Sequence, residues 1–273
     1  ALAAAWAVRL TFNFWRRGGY AGEEDYRWPV LRGLMPAWAF QLFNIGFIGA
    51  YQNALLWLLV LPCEAAWHAR HVPLNGGDVL CAATFVLALL GEAVADNQQQ
   101  AFQRGKAALR AAGVPAKRWP TAARRGFCTT GLFRYSRHPN FFFEQCVWIA
   151  FAAFATSSGG GVHLLHWTQL GALLLVLLFQ GSTRFTEWIS AQRHPSYRIY
   201  QLATPMLVPM PPSRAYAAWL DVDAPDAPAQ DETDTRTVAG SDGDAGANTD
   251  ADVDADADAD AEADADASLD STS

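Results

Sequence analysis

Apolar residues along this chain gather into runs of membrane-spanning length, separated by stretches rich in Arg, Gly and Pro. A helix crosses the bilayer core with about 17–25 predominantly apolar residues. The first run, "ALAAAWAVRLTFNFW", ends near Phe14 and opens the chain without Met, which predicts one or more further helices before it. The second is "PAWAFQLFNIGFIGAYQNALLWLLVLP", Pro36 to Pro62, and the third "DVLCAATFVLALLGEAVA", Asp78 to Ala95. The fourth is "FFFEQCVWIAFAAFATSS", Phe141 to Ser158, and the fifth "VHLLHWTQLGALLLVLLFQG", Val162 to Gly181. Gly159-Gly160-Gly161 predicts a very short turn between the last two, making them an antiparallel pair. The predicted fold class is an all-α integral membrane protein, a multi-helix transmembrane bundle with five spans in this sequence.

Loop charge gives that bundle a direction. Segments 9–32, 97–140 and 181–220 hold 5, 9 and 4 Lys+Arg, whereas 61–77 and 157–165 hold 1 and none. Cations collect on the cytosolic side of multi-span proteins. The Arg-rich segments are therefore expected in the cytosol. A soluble helical bundle would need no such asymmetry.

Composition divides the chain in two. Residues 1–220 carry 19 Lys+Arg against 9 Asp+Glu, and 221–273 carry one Arg against 18 acids. The second part includes "DADADADAEADADA", without apolar periodicity and strongly self-repelling, and is expected to be a disordered tail. Its alternatives are a solvated extension and a lure for a basic partner. Four cysteines without a CxxC, and the lack of HExxH or a P-loop, leave zinc and Walker-type chemistry unsupported. Cys63 and Cys81 flank one loop and would pair only in an oxidising compartment; buried free thiols are the reading adopted.

Candidate chemistry lies where polar residues enter the spans. Glu92, Asp96, Gln99 and Gln103 recur on one helical stripe, and a carboxylate in a span costs about 2.5–3.5 kcal/mol on insertion scales. In the second span Gln41, Asn44, Tyr51 and Gln52 fall within an arc of roughly 100°, able to line a pocket or to bond between helices. "GLFRYSRHPNFFFEQCVW", Gly131 to Trp148, turns from a cationic loop into an apolar helix starting at His138-Pro139. Arg134, Arg137 and His138 stand at that helix N-terminus, where phosphates are natural guests. Asn140, Glu144 and Trp148 follow at i, i+4, i+8. The alternative is an interfacial Arg cluster on lipid headgroups, which leaves Glu144 without a partner.

"ADNQQQAF", "GLFRYSRHPNFFFE" and "HPSYRIYQLATPMLVP" together resemble the steroid 5-alpha-reductase superfamily, in its poorly characterised membrane branch, over residues 9–212. The "EEDYRW" loop, Glu23 to Trp28, resembles that branch too. Phe141 and Phe143 depart from the pattern, where Tyr and Gly are usual. The resemblance implies a seven-helix membrane fold, an NADPH site open to the cytosol, and hydride transfer to an activated double bond of a lipid or steroid-like substrate. It implies that Asp96, Arg134, Tyr135, Arg137, His138, Asn140 and Glu144 face the cofactor, with Tyr197 and Tyr200 closing it. Glu144 is also a candidate for the chemistry; Tyr51 is a candidate acid on geometry alone. The expected partners are the bilayer and a small lipid-like molecule, not nucleic acid, and the expected compartment is the endoplasmic reticulum membrane. A membrane methyltransferase of the isoprenylcysteine carboxyl type, using S-adenosylmethionine, shares the R-H-P helix start, but its usual paired Glu is absent around Glu187. A non-enzymatic scaffold would leave Glu92 and Glu144 unexplained.

Overall fold

The computed structural model describes residues 1–20, 24–157 and 166–221, and among these it contains helices, turns and no strand. In chain order the helices are α1 (Leu2–Arg16), α2 (Arg27–Leu34), α3 (Ala37–Phe43), a π-helical stretch (Asn44–Tyr51), α4 (Gln52–Val60), α5 (Pro62–His68), α6 (Gly76–Ala111), α7 (Thr121–Arg125), α8 (Pro139–Ser157), α9 (Leu170–Arg193), α10 (Tyr197–Ala203) and α11 (Ala217–Asp221). Two continuous helical stretches, Ala37–His68 and Gly76–Ala111, are long and apolar enough to cross a membrane. The expected Gly159–Gly161 turn, Glu23 and the tail beyond Asp221 lie outside the described residues.

The most extensive helix pairing is α6 against α8. Asn75 starts α6 by accepting from Gly77 N (2.7 Å) and Asp78 N (3.2 Å), while Asp78 accepts from Asn75 N (3.0 Å), a reciprocal cap. Asn75 also donates to Ser157 O at 2.9 Å, tying the start of α6 to the end of α8. Phe85, Ala88, Val147 and Ala150 form the buried seam between them. Gly91 is where the two helices approach: a Cβ there would lie 2.6 Å from the Phe143 ring. The bulk of Phe143 is thus accommodated by the missing side chain opposite. Phe141 stacks on His138 with centroids 5.3 Å apart, a ring contact where the related pattern has a phenol.

α6 continues past the apolar span that ends at Ala95, through the stripe reaching Gln103, to Ala111. Its second half is polar but rich in Ala, Gln, Lys and Arg, good helix formers; it stops just before Gly113, at φ 63°. The second span departs from expectation. Residues 44–51 wind as a π-helix, in a stretch whose Gly46 and Gly49 weaken the α-helical preference. The arc drawn at 100° per residue therefore does not hold, and Gln41 is exposed while Asn44, Tyr51 and Gln52 are half-buried. All four cysteines are free; Cys128 is buried, whereas Cys63 is exposed.

Candidate functional site

The polar stripe of α6 and the polar face of α8 meet beside α1. Asp96 and Asn140 approach at 3.5 Å across the helix pair. Glu144, one turn deeper, accepts from Trp148 Nε1 at 2.9 Å and from Trp6 Nε1 at 3.1 Å. Arg9 on α1 reaches into the same space. It donates to Asp96 Oδ2 at 2.6 Å and makes a shorter bond to Glu92, and its Nη2 lies 4.0 Å from Glu144 Oε2. Asn13 adds a 2.9 Å bond to Asp96. Three carboxylates thus surround one guanidinium. Glu92 is only 5% exposed, yet its Oε2 and the Nε of Arg9 have no hydrogen-bond partner. Buried polar groups are ordinarily paired, so the cluster holds donor and acceptor capacity to spare. Chemically it can take a cationic or multiply hydrogen-bonding group.

Arg137 and His138 go elsewhere. Arg137 bonds Glu187 on α9 through Nε at 2.5 Å and Nη2 at 2.9 Å, while Nη1 donates to Gln201 O at 3.0 Å and, more closely, to Thr204 O. His138 Nε2 lies 3.0 Å from the same carboxylate, and Gln201 Nε2 donates to it at 3.0 Å. Burial alone would raise the Glu187 pKa, but hydrogen bonds from His138 and Arg137, with the Arg137 charge, outweigh it and hold it down at about 2. Tyr197 and Tyr200 are buried against this lock, and burial pushes both phenols up. The Tyr200 hydroxyl donates to Phe133 O, and Thr204 Oγ1 to Arg134 O at 3.3 Å. These contacts strap α9 and α10 over the loop before α8.

The ten sequence candidates therefore divide. Asp96, Asn140 and Glu144 converge with Glu92; Arg137, His138, Tyr197 and Tyr200 form the α9–α10 lock. Arg134 is half-buried and pairs with Asp221, and Tyr135 beside it is exposed. Tyr51 stands at the end of a ring ladder with Phe43 and Phe47 and donates to Leu174 O at 3.3 Å, on the α4–α9 side. Glu92, a member of the candidate α6 stripe, joins Asp96 and Glu144 through Arg9. The sequence pattern passes over Arg9, although Trp6, Arg9 and Asn13 share one face of α1, and over Glu187, whose partners Arg137 and His138 lie across the fold.

Comparison with known proteins then places the chain. The family described as "Protein of unknown function (DUF1295)" matches residues 1–204. The chain belongs to this family. DUF1295 is itself a member of the steroid 5-alpha-reductase-like group. An uncharacterized protein of Schizosaccharomyces pombe is 38% identical over 205 residues, covering 73% of this chain and 59% of that protein. The chain thus spans about three fifths of that relative's length. No solved structure matches it.

Proposed function

We propose that this DUF1295 chain is a membrane-embedded reductase that uses NADPH to saturate an activated double bond of a lipid or steroid-like substrate. The observation that carries the reading is the meeting of Asp96 with Asn140 and Glu144, from two motifs 44 residues apart, around a cluster with unpartnered buried polar atoms. Group membership in the steroid 5-alpha-reductase-like proteins supports it. NADPH would supply the hydride. Asp96 and Glu144 would accept hydrogen bonds from its hydroxyl or amide donors, and Asn140 would orient it. Fit to the phosphates is narrower: Arg137 is spent on its own chain, and Arg134, the other cation of the motif, would have to release Asp221 to reach them.

The bilayer reading rests on the two long apolar helices and on side chains such as Trp57 and Leu80, apolar and turned outward on them. Large exposed apolar surfaces are uncommon on soluble monomers. In this reading the chain crosses the endoplasmic reticulum membrane several times, with the Arg-rich segments cytosolic.

The test is a thermal shift of detergent-solubilised protein with NADPH, S-adenosylmethionine or neither. Stabilisation by NADPH alone is expected, since a ligand at a hundred times its Kd adds about 2.7 kcal/mol. Stabilisation by S-adenosylmethionine alone would replace the reductase with a methyltransferase.

A further inference from the structure

After α10 the chain turns back along the cationic loop. Arg137 N donates to Pro205 O (2.9 Å), His138 N to Met206 O (3.1 Å), Ser136 Oγ to Leu207 O (2.6 Å) and Met210 N to Tyr135 O (3.0 Å). This return delivers α11 onto the Arg-rich face. The Trp219 ring lies under the Arg125 guanidinium, 3.7 Å from its centroid, and Trp219 O accepts from Arg125. Two residues on, Asp221 grips Arg134 with both oxygens, one at 2.9 Å and one closer. Asp221 is the first acid of the acidic segment. The segment therefore does not leave the protein at a neutral point; its first charge is already seated on a cation.

We infer that the segment from Asp221 onward is an intramolecular ligand of the Arg-rich face, a tethered polyanion that competes with phosphate-bearing molecules for Arg134 and its neighbours. The charges are complementary. Residues 97–143 contain nine Lys+Arg and no acid, and residues 222–273 contain seventeen acids and one Arg. Lys117 and Arg118 are exposed just before α7, which ends in Arg125. Reach is sufficient: a chain of 52 residues, treated as a random coil, has a root-mean-square span of roughly 40 Å. A single exposed ion pair is weak. Tethering holds the other acids at millimolar effective concentration, however, so weak contacts add. The inference stands apart from hydride transfer and needs only an anion-binding face.

The test uses the full chain in neutral phosphatidylcholine nanodiscs, native or with the Asp and Glu residues of 221–273 changed to Asn and Gln. Fluorophores at Ala112 and Ala245 report proximity by energy transfer, and calorimetry reports binding of inorganic tripolyphosphate. At low salt the native chain should show high transfer that falls as the Debye length shrinks below about 5 Å. The neutralised chain should show low transfer at both salts and bind tripolyphosphate about tenfold tighter at low salt, with the gap closing at high salt. In the native chain Arg134→Gln should lower transfer at low salt. Transfer indifferent to salt and segment charge, or equal tripolyphosphate binding by the two chains at low salt, overturns the inference.

Discussion

Glu92 and Glu187 are equally buried, each 5% exposed, and their surroundings are opposite. Glu187 has Arg137, His138 and Gln201 as donors, and its charge is matched. Glu92 shares Arg9 with Asp96 and lies near Glu144, with one oxygen unpartnered. A buried charge with saturated bonds holds architecture in place, and removing one partner is costly. A buried carboxylate crowded by like charges is the sort of group found at functional sites. The motif "RYSRHPNFFFE" feeds both regions. Arg137 and His138 turn to the lock, Asn140 and Glu144 to the cluster, so neighbours in one motif divide between a saturated contact and the crowded cluster proposed as the ligand site.

The comparison breaks most directly at the lock. Glu187→Ala leaves the Arg137 guanidinium buried and unpaired, a loss of about 3–5 kcal/mol. That corresponds to a fall in Tm of about 10 °C. A melting curve in detergent checks it; a Tm equal to that of the unmodified protein would remove the lock from the account. Arg9→Met comes next. It takes the cation from three carboxylates, at a cost of about 3 kcal/mol, the lower end because Arg9 is 14% exposed. Adding Glu92→Gln to it should restore part of the loss, a coupling that separates charge from packing.

Acid should act through Glu187. Its folded pKa, about 2, lies below the ordinary 4.5. Its contribution is therefore fully present above pH 4.5 and drains as the pH falls toward 2. The native protein should lose Tm through that window by more than Glu187→Gln does; parallel curves would contradict the assignment. The smallest effect is expected from Glu92→Gln alone, within about 1 kcal/mol of neutral or stabilising, because it relieves repulsion among three acids. A loss as large as that of Glu187→Gln would erase the distinction.

Much of this was legible in the sequence, for identifiable reasons. Pro139 marked the start of α8, and the i, i+4 spacing of Glu144 and Trp148 became a 2.9 Å hydrogen bond. The α6 stripe was visible because acids stand out in an apolar run. Arg9 was not, because its run is short and its partners lie 83 and 87 residues away. Trp6, Arg9 and Asn13 on one face of an apolar helix were the available signal. Glu187 is not legible from its immediate neighbours, because its partners Arg137 and His138 lie 50 and 49 residues away. The fit of Phe143 over Gly91 joins positions 52 apart in the chain, and no local pattern expresses it. The π-helical winding of residues 44–51 likewise departs from the regular period on which the polar arc was built.

The central claim is that the cluster, not the lock, meets the cofactor. It is tested by measuring NADPH affinity and Tm together for Glu144→Gln and Arg137→Lys in one detergent, below both melting points. Glu144→Gln should weaken NADPH by about tenfold, equivalent to 1.4 kcal/mol, at nearly unchanged Tm. Arg137→Lys should lower the Tm, since Lys cannot reproduce the two-pronged contact with Glu187, and should bind NADPH as the unmodified protein does. The reverse outcome, with affinity lost in folded Arg137→Lys and kept in Glu144→Gln, would contradict it.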